Sequence, residues 1–181
     1  RRAQPEARVV AITGTNGKTS TSHFLADALT ALHQPCGVLG TVGNGLWPNL
    51  QSAVRTTGDA LAIQKSLSEL YQAGAQAISM EVSSHGLVQH RVEAVSFEMA
   101  IFTQLTQDHL DYHQTMEAYY QAKKKLFDRP ELRYMILNVD SPYGQRLARE
   151  ALSPAPQIWV GAQGREIVLK RCVPKFGGTE V

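Results

Sequence analysis

Residues Gly14-Thr15-Asn16-Gly17-Lys18-Thr19-Ser20 gather two glycines, a lysine and three hydroxyls into one short run. The run follows a β-branched apolar stretch at 8–13 and opens an amphipathic one, the setting of a strand-to-helix turn. Backbone N–H groups converge at such a helix N-terminus, and glycine lets the backbone approach a phosphate closely. Lys18, exposed and charged at the helix start, would reach the β- and γ-phosphates of a nucleotide, and the Thr19 hydroxyl would bind Mg²⁺. The spacing G-x-x-G-K-T is shorter than the general G-x-x-x-x-G-K-[ST] loop, and a glycine-rich turn of purely structural purpose has the same composition. Glu81 ends a second apolar run, 77–82. Carboxylates at the C-terminal ends of parallel strands lie where ligands gather in doubly wound folds. Mg²⁺ prefers such an oxygen donor, and a phosphate loop needs an acid from a neighbouring strand to complete its metal site. The plain alternative is an exposed strand-end acid.

Three further groups of residues invite chemistry. Asp108-His109-Leu110-Asp111-Tyr112-His113 sets two histidines four apart, on one face of a helix. That spacing suits zinc, but no Glu follows the first His and no third ligand is evident; histidines satisfied by Asp108 and Asp111 read equally well. In the stretch 115–127 the apolar positions Met116, Tyr119, Tyr120, Leu126 and Phe127 continue onto Lys123, which predicts a buried lysine with Lys124 and Lys125 solvated. Burial favours the neutral amine, which can capture CO₂ as an anionic carbamate, an oxygen ligand for a metal; a snorkelling ammonium is the alternative. His85 and His90 read as surface loop residues, and Arg91 carries a guanidinium fork that matches a carboxylate or phosphate. His23 and His33 receive no role.

These residues need a scaffold, and the hydrophobic pattern predicts an α/β domain with a mostly parallel sheet and helices on both faces. Strands are expected at 8–13, 36–40, 77–82, 97–102 and 134–139, with two short strands joined by a Gly turn in 157–170. Helices are expected at 19–33, with Phe24, Leu25, Ala28, Leu29 and Leu32 inward, and from Asp59 as cap to Gly74, with Ala60, Ile63, Leu67, Leu70 and Tyr71 inward. Two more are expected at 115–127 and 141–151. Residues 41–58 read as one long loop, of the length that usually carries function, and 83–91 as a short polar segment.

The chain has 181 residues, 43% hydrophobic and 19% charged, which fits one globular domain and excludes global disorder. A net charge of +2 is too balanced for a dedicated nucleic-acid binder. No apolar run approaches the roughly 18 residues of a membrane span. Cys36 and Cys172 form no C-x-x-C pair, so a reducing cytoplasm fits. Residues 1–8 read as a linker and 9–181 as the domain, a piece of something longer.

GTNGKTS resembles the ATP-binding loop of the Mur ligases, ATP-dependent enzymes that form amide bonds in peptidoglycan precursor synthesis. GTVGNG (40–45), TTGDA (56–60), EVSSHGLVQHR (81–91) and DHLDYH (108–113) extend the resemblance in order along 9–140, toward the UDP-N-acetylmuramoyl-tripeptide synthetase branch, the MurE ligases. The resemblance implies the central ATPase domain of three, without the uridine-binding N-terminal and amino-acid-receiving C-terminal domains. It implies ATP with two Mg²⁺ ions as cofactors, Glu81 and Thr19 on one ion, and His109 and a carbamylated Lys123 on the second. It assigns Thr56, Thr57, Ser83, Gln89 and Arg91 to the UDP-muramoyl dipeptide, with meso-diaminopimelate or L-lysine as the added amino acid. Gln104 and Arg55 depart from residues common among relatives. A folylpolyglutamate synthetase or another ligase of the superfamily, and a phosphate-loop module that binds without turnover, are the rival readings.

Overall fold

Short β-branched runs alternate with amphipathic stretches along this chain, and in the computed structural model they build one eight-stranded sheet. The structure describes residues 7–162 and the backbone of 167–168, 173–175 and 178–180. In chain order the elements are β1 (Arg8–Thr13), α1 (Lys18–Ala31), β2 (Cys36–Leu39), β3 (Asn44–Leu46), α2 (Ala60–Gln72), β4 (Ala77–Glu81), α3 (Ser84–Val88) and β5 (Met99–Phe102). Then follow α4 (Leu110–His113), α5 (Met116–Phe127), β6 (Tyr134–Asn138), α6 (Pro142–Glu150), β7 (Gln157–Gly161) and β8 (Ile167–Val168). A separate antiparallel pair joins β9 (Val173–Lys175) to β10 (Gly178–Glu180). The sheet order is β3-β2-β4-β1-β5-β6-β7-β8, parallel throughout except for β3. Central β1 is buried from Val9 to Thr13, as a strand covered on both faces must be. The chain runs from β1 to one side and, after β4, crosses to β5 on the other. The crevice beyond the C-terminal ends of β4, β1 and β5 is thus the switch point where ligands bind.

Helices cover both faces, as expected. Cys36 and Val38 of β2 pack with Ala26 of α1, whereas the intervening Gly37 faces Leu70 of α2. Asp59 caps α2 through the Ala62 amide at 2.9 Å, and Ile63, Leu67 and Leu70 point inward, while Ala60 is exposed. The inward face expected for α1 is only partly right: Leu29 packs against the cluster of Ala26, Cys36 and Val38 and Leu25 is half-buried, but the other three residues are not inward. Phe24 and Leu32 are 75% and 67% exposed, Ala28 is exposed too, and the buried residues are Ser22 and Ala26. The small pair lets α1 approach the sheet closely, and Ser22 receives a hydrogen bond from the Ser79 hydroxyl of β4 at 2.9 Å.

Other corrections concern short elements. Residues 41–58 contain β3, paired antiparallel with β2, and 83–91 contain α3, capped by the Ser83 hydroxyl accepting from the Gly86 amide at 3.1 Å. The strands in 157–170 pair in parallel, Val160 opposite Ile167, so they are no hairpin. Of the linker 1–8, residues 1–6 lie outside the described residues, but Ala7 is buried and Arg8 already pairs with Ala77. Among the described residues no helix is long and apolar enough to cross a membrane.

The turn between α4 and α5 is strained. Gln114 sits at φ 64°, ψ −41°, and the Thr115 amide donates to the His113 carbonyl at 2.8 Å, closing a three-residue turn that L-residues disfavour. Such strain costs about 1–3 kcal/mol, and the extra chain entropy of glycine offsets about 0.5–1 of it. Gln114→Gly is therefore expected to stabilise the fold by about 1 kcal/mol and raise Tm by about 2–4 °C in thermal denaturation. A lower Tm would contradict the strain.

Candidate active site

The phosphate-loop residues occupy the switch point. Gly14 has φ 147°, and a Cβ there would lie 1.9 Å from Thr103 Oγ1 and 2.8 Å from the Gln104 carbonyl, so only glycine fits. Gly17, at φ 84°, is the N-cap of α1 and offers no side-chain cap. The first-turn amides of α1, including Thr19 and Ser20, are left for a ligand, with no acidic side chain nearby on the helix to compete. The loop is held from β5 and the segment after it. The Thr15 amide donates to the Gln104 carbonyl at 2.8 Å, and Thr103 Oγ1 donates to the Asn16 carbonyl at 2.7 Å. Lys18 is half-buried rather than exposed: its ammonium folds back onto the carbonyls of Gly14 (3.1 Å) and Thr15 (2.8 Å). Burial lowers its pKa, opposed by the Glu81 and Asp108 carboxylates.

Glu81 is no exposed strand-end acid. It is fully buried, with Thr19 Oγ1 3.0 Å from both carboxylate oxygens, the Thr41 amide donating at 2.9 Å and the Thr41 hydroxyl at 3.1 Å. Gly40 keeps this pocket open, since a Cβ there would stand 2.3 Å from Glu81 Oε1. A buried carboxylate flanked by two threonine hydroxyls beside a phosphate loop is the hard-oxygen donor set that Mg²⁺ fits. Among the described residues no three His, Cys, Asp or Glu side chains are grouped to hold a metal ion. Mg²⁺ needs no such cage, because one or two carboxylates plus phosphates and water suffice.

The two histidines of 108–113 lie on one side, as expected: the His113 amide donates to the His109 carbonyl at 2.9 Å, and both rings meet His85 and Tyr119. His109 precedes α4 with φ 51° and is exposed, its Nε2 3.5 Å from Asp108 Oδ2. His113 is buried and pairs with Ser84 Oγ at 2.8 Å, not with either aspartate. His85, expected on a surface loop, joins them: its ring lies 4.1 Å from Tyr112, 5.0 Å from His109 and 5.5 Å from His113. Burial lowers the pKa of both His85 and His113; the next largest depressing influence is the His109 ring on His85 and the His85 ring on His113, with Asp111 opposing in each case. His90 is exposed beside Glu93, as expected.

Lys123 is 2% exposed beneath the phosphate loop, donating to the Gly14 carbonyl at 2.9 Å and lying 4.7 Å from the Tyr119 ring centroid. Burial and then the Lys18 charge pull its pKa well below the usual lysine range, with Asp108 opposing. Lys125 is exposed, as expected, but Lys124 is not solvated: Asp128, one turn on, takes its ammonium at 2.7 Å.

Thr57, Ser83, Gln89 and Arg91 are joined by hydrogen bonds beside Glu81, and Thr56 meets Thr41. Thr57 is buried, donating to the Glu81 carbonyl and accepting from the Ser83 amide, each at 3.0 Å. Thr56 Oγ1 lies 3.0 Å from Thr41 Oγ1. The Arg91 guanidinium donates to the Thr57 carbonyl at 3.0 Å and to Gln89 Oε1, and Gln89 donates to the Tyr112 hydroxyl at 3.2 Å. Sequence reasoning missed Thr41, Thr103, Thr106 and Tyr119. For the first and second a signal existed: each hydroxyl stands just past the end of an expected strand.

The model of the Mur ligase middle domain matches residues 12–176. The UDP-N-acetylmuramoyl-L-alanyl-D-glutamate–2,6-diaminopimelate ligase of Pseudomonas aeruginosa is 54% identical over 142 residues, 78% of this chain and 29% of that protein. Its namesake from Chromobacterium violaceum is 51% identical over 140 residues, 77% of this chain and 28% of the relative. The chain thus spans less than a third of the length of these relatives. A solved structure of a ligase of the same name superposes with a TM-score of 0.87 at 35% identity, covering 96% of this chain and 36% of that one. The folylpolyglutamate synthase of Mycobacterium tuberculosis, solved with ADP and AMPPCP, reaches a TM-score of 0.72 over 96% of this chain and 46% of its own, but at 16% identity it shares the fold alone.

Proposed function

We propose, from the premise that this chain belongs to the Mur ligase family as a middle domain, that it is the ATP-binding and acceptor-activating part of a UDP-N-acetylmuramoyl-L-alanyl-D-glutamate–2,6-diaminopimelate ligase. The observation that carries this reading is the buried Glu81 carboxylate held against Thr19 of the phosphate loop. The relatives named above supply the acceptor and favour diaminopimelate over L-lysine.

In this reading the amides of 14–20 bind the ATP phosphates, and Lys18 exchanges its own loop carbonyls for the β- and γ-phosphate oxygens. Glu81 and Thr19 would hold one Mg²⁺; His109 and Lys123, the latter as the carbamate its neutral amine forms with CO₂ on loss of a proton, would hold a second. Mg²⁺, when bound, neutralises charge on the phosphoryl oxygens. Thr56, Thr57, Ser83, Gln89 and Arg91 orient the acceptor carboxylate. A carboxylate oxygen attacks the γ-phosphorus as the bond to ADP breaks, giving an acyl phosphate. The diamino acid nitrogen then attacks the acyl carbon, phosphate departs and the ammonium proton is released to solvent. Segments outside this chain provide the uridine and amino-acid sites, and ATP use goes with a cytoplasmic location.

The full-length protein given ATP and Mg²⁺ should release phosphate only with both the UDP-muramoyl dipeptide and diaminopimelate present, with the tripeptide product seen by mass spectrometry. Release driven by a folate acceptor and not by the dipeptide would overturn the assignment. Arg91→Ala should raise KM for the dipeptide about 10- to 100-fold, the worth of a charge-assisted hydrogen bond, with KM for ATP unchanged. Steady-state kinetics varying each substrate alone checks this, and equal effects on both would contradict it.

A further inference from the structure

We infer that Tyr119 is a positioning residue that keeps the phosphate loop in register with the acceptor segment, acting from behind both without touching either substrate. The inference rests on the ligase reading above and adds a residue to it. Tyr119 is 1% exposed in the first turn of α5, and its surroundings tie three parts of the site to one side chain.

The first tie is to the phosphate loop. The Tyr119 hydroxyl lies 3.3 Å from Thr15 Oγ1. Thr15 has one hydroxyl proton, which it gives to the Thr106 carbonyl at 3.1 Å, and it already accepts from the Thr106 amide at 3.0 Å. What remains on Thr15 is one acceptor position, so Tyr119 is the donor. Thr15 is then saturated, and its backbone is fixed between Gly14 and Asn16, the residues that must face phosphate.

A second tie runs to the acceptor segment. The Tyr119 ring stacks on His113 with centroids 5.0 Å apart and planes at 29°, and His113 Nε2 lies 2.8 Å from Ser84 Oγ. Ser84 is the first residue of α3 and follows Ser83 directly. The third tie is Lys123, whose ammonium lies 4.7 Å from the ring centroid, with the His109 ring 6.1 Å away, edge-on. A shift of Tyr119 would move the loop, the buried lysine and α3 together, because packed interiors transmit displacement.

The substitutions separate the hydroxyl from the ring. Tyr119→Phe keeps the volume and the stack but removes the donor to the half-buried Thr15 hydroxyl. Ser84→Ala releases the opposite end. Both are made in the full-length protein, with ATP and the UDP-muramoyl dipeptide varied separately and Tm measured alongside. Tyr119→Phe is expected to raise KM for ATP about three- to tenfold, the worth of one neutral hydrogen bond, with kcat and dipeptide KM within about twofold. Ser84→Ala is expected to do the converse, raising KM for the dipeptide by a similar factor and sparing that for ATP. An unchanged ATP KM in Tyr119→Phe, or equal rises in both KM values, would reduce Tyr119 to packing and overturn the inference. An unchanged dipeptide KM in Ser84→Ala would remove the acceptor end of the strut. Lys18→Ala serves as the control: if it too leaves turnover intact, the ligase reading itself fails, whereas a dead Lys18→Ala beside a silent Tyr119→Phe sinks the strut alone.

Discussion

Lys18→Ala in the intact protein is expected to lose about two to three orders of magnitude in kcat/KM for ATP while circular dichroism stays unchanged. Phosphoryl transfer leaves the protein little covalent work, so removing one preorganised positive charge from the transferring group costs about as much as removing an oxyanion donor. The fold should survive, because among the described residues the hydrogen bonds of the Lys18 ammonium run to two carbonyls of its own loop, Gly14 and Thr15. Measurement is by coupled phosphate release against ATP concentration. Turnover within a fewfold of the unaltered protein, with an intact spectrum, would remove the phosphate-loop assignment.

Lys123→Ala should be more severe and abolish detectable amide formation, whereas Lys125→Ala should be mild. Lys124→Ala should cost about 1 kcal/mol of stability through its lost pair with Asp128 and leave kcat near normal. The contrast among three successive lysines is what α5 geometry dictates: one faces the underside of the phosphate loop, one is tied along the helix, one meets water. Labelled CO₂ should give a carbamate carbon signal in the unaltered protein and none in Lys123→Ala. High-resolution density showing a bare ammonium at Lys123 in the Mg²⁺–ATP state would defeat the carbamate, whatever the variants did.

How much of this was readable beforehand follows from length scales. The phosphate loop, the strand ending at Glu81 and the buried face of α5 were legible, because each depends on contacts within one turn or one strand. The inward face of α1 was only partly so: the pattern counts large apolar residues, while the sheet selected the small Ser22 and Ala26 for close approach. β3, α3 and α4 run to only three, five and four residues, too few for a period to declare itself. The pairing of His113 with Ser84 joins residues 29 apart, and the Thr15–Tyr119 contact joins residues 104 apart. No local pattern encodes such partners. Lys18 reads as exposed from its place in the loop, since nothing in the spacing shows that the loop's own carbonyls hold it.

The most direct test of acceptor activation uses the full-length protein and a dipeptide whose D-glutamate side-chain carboxylate carries ¹⁸O in both oxygens. An acyl phosphate leaves the bridging oxygen on phosphorus when the amine attacks, so one ¹⁸O should appear in the phosphate released per amide formed. Phosphate free of label, in the presence of tripeptide product, would show that the carboxylate never bonded to phosphorus and would contradict the account.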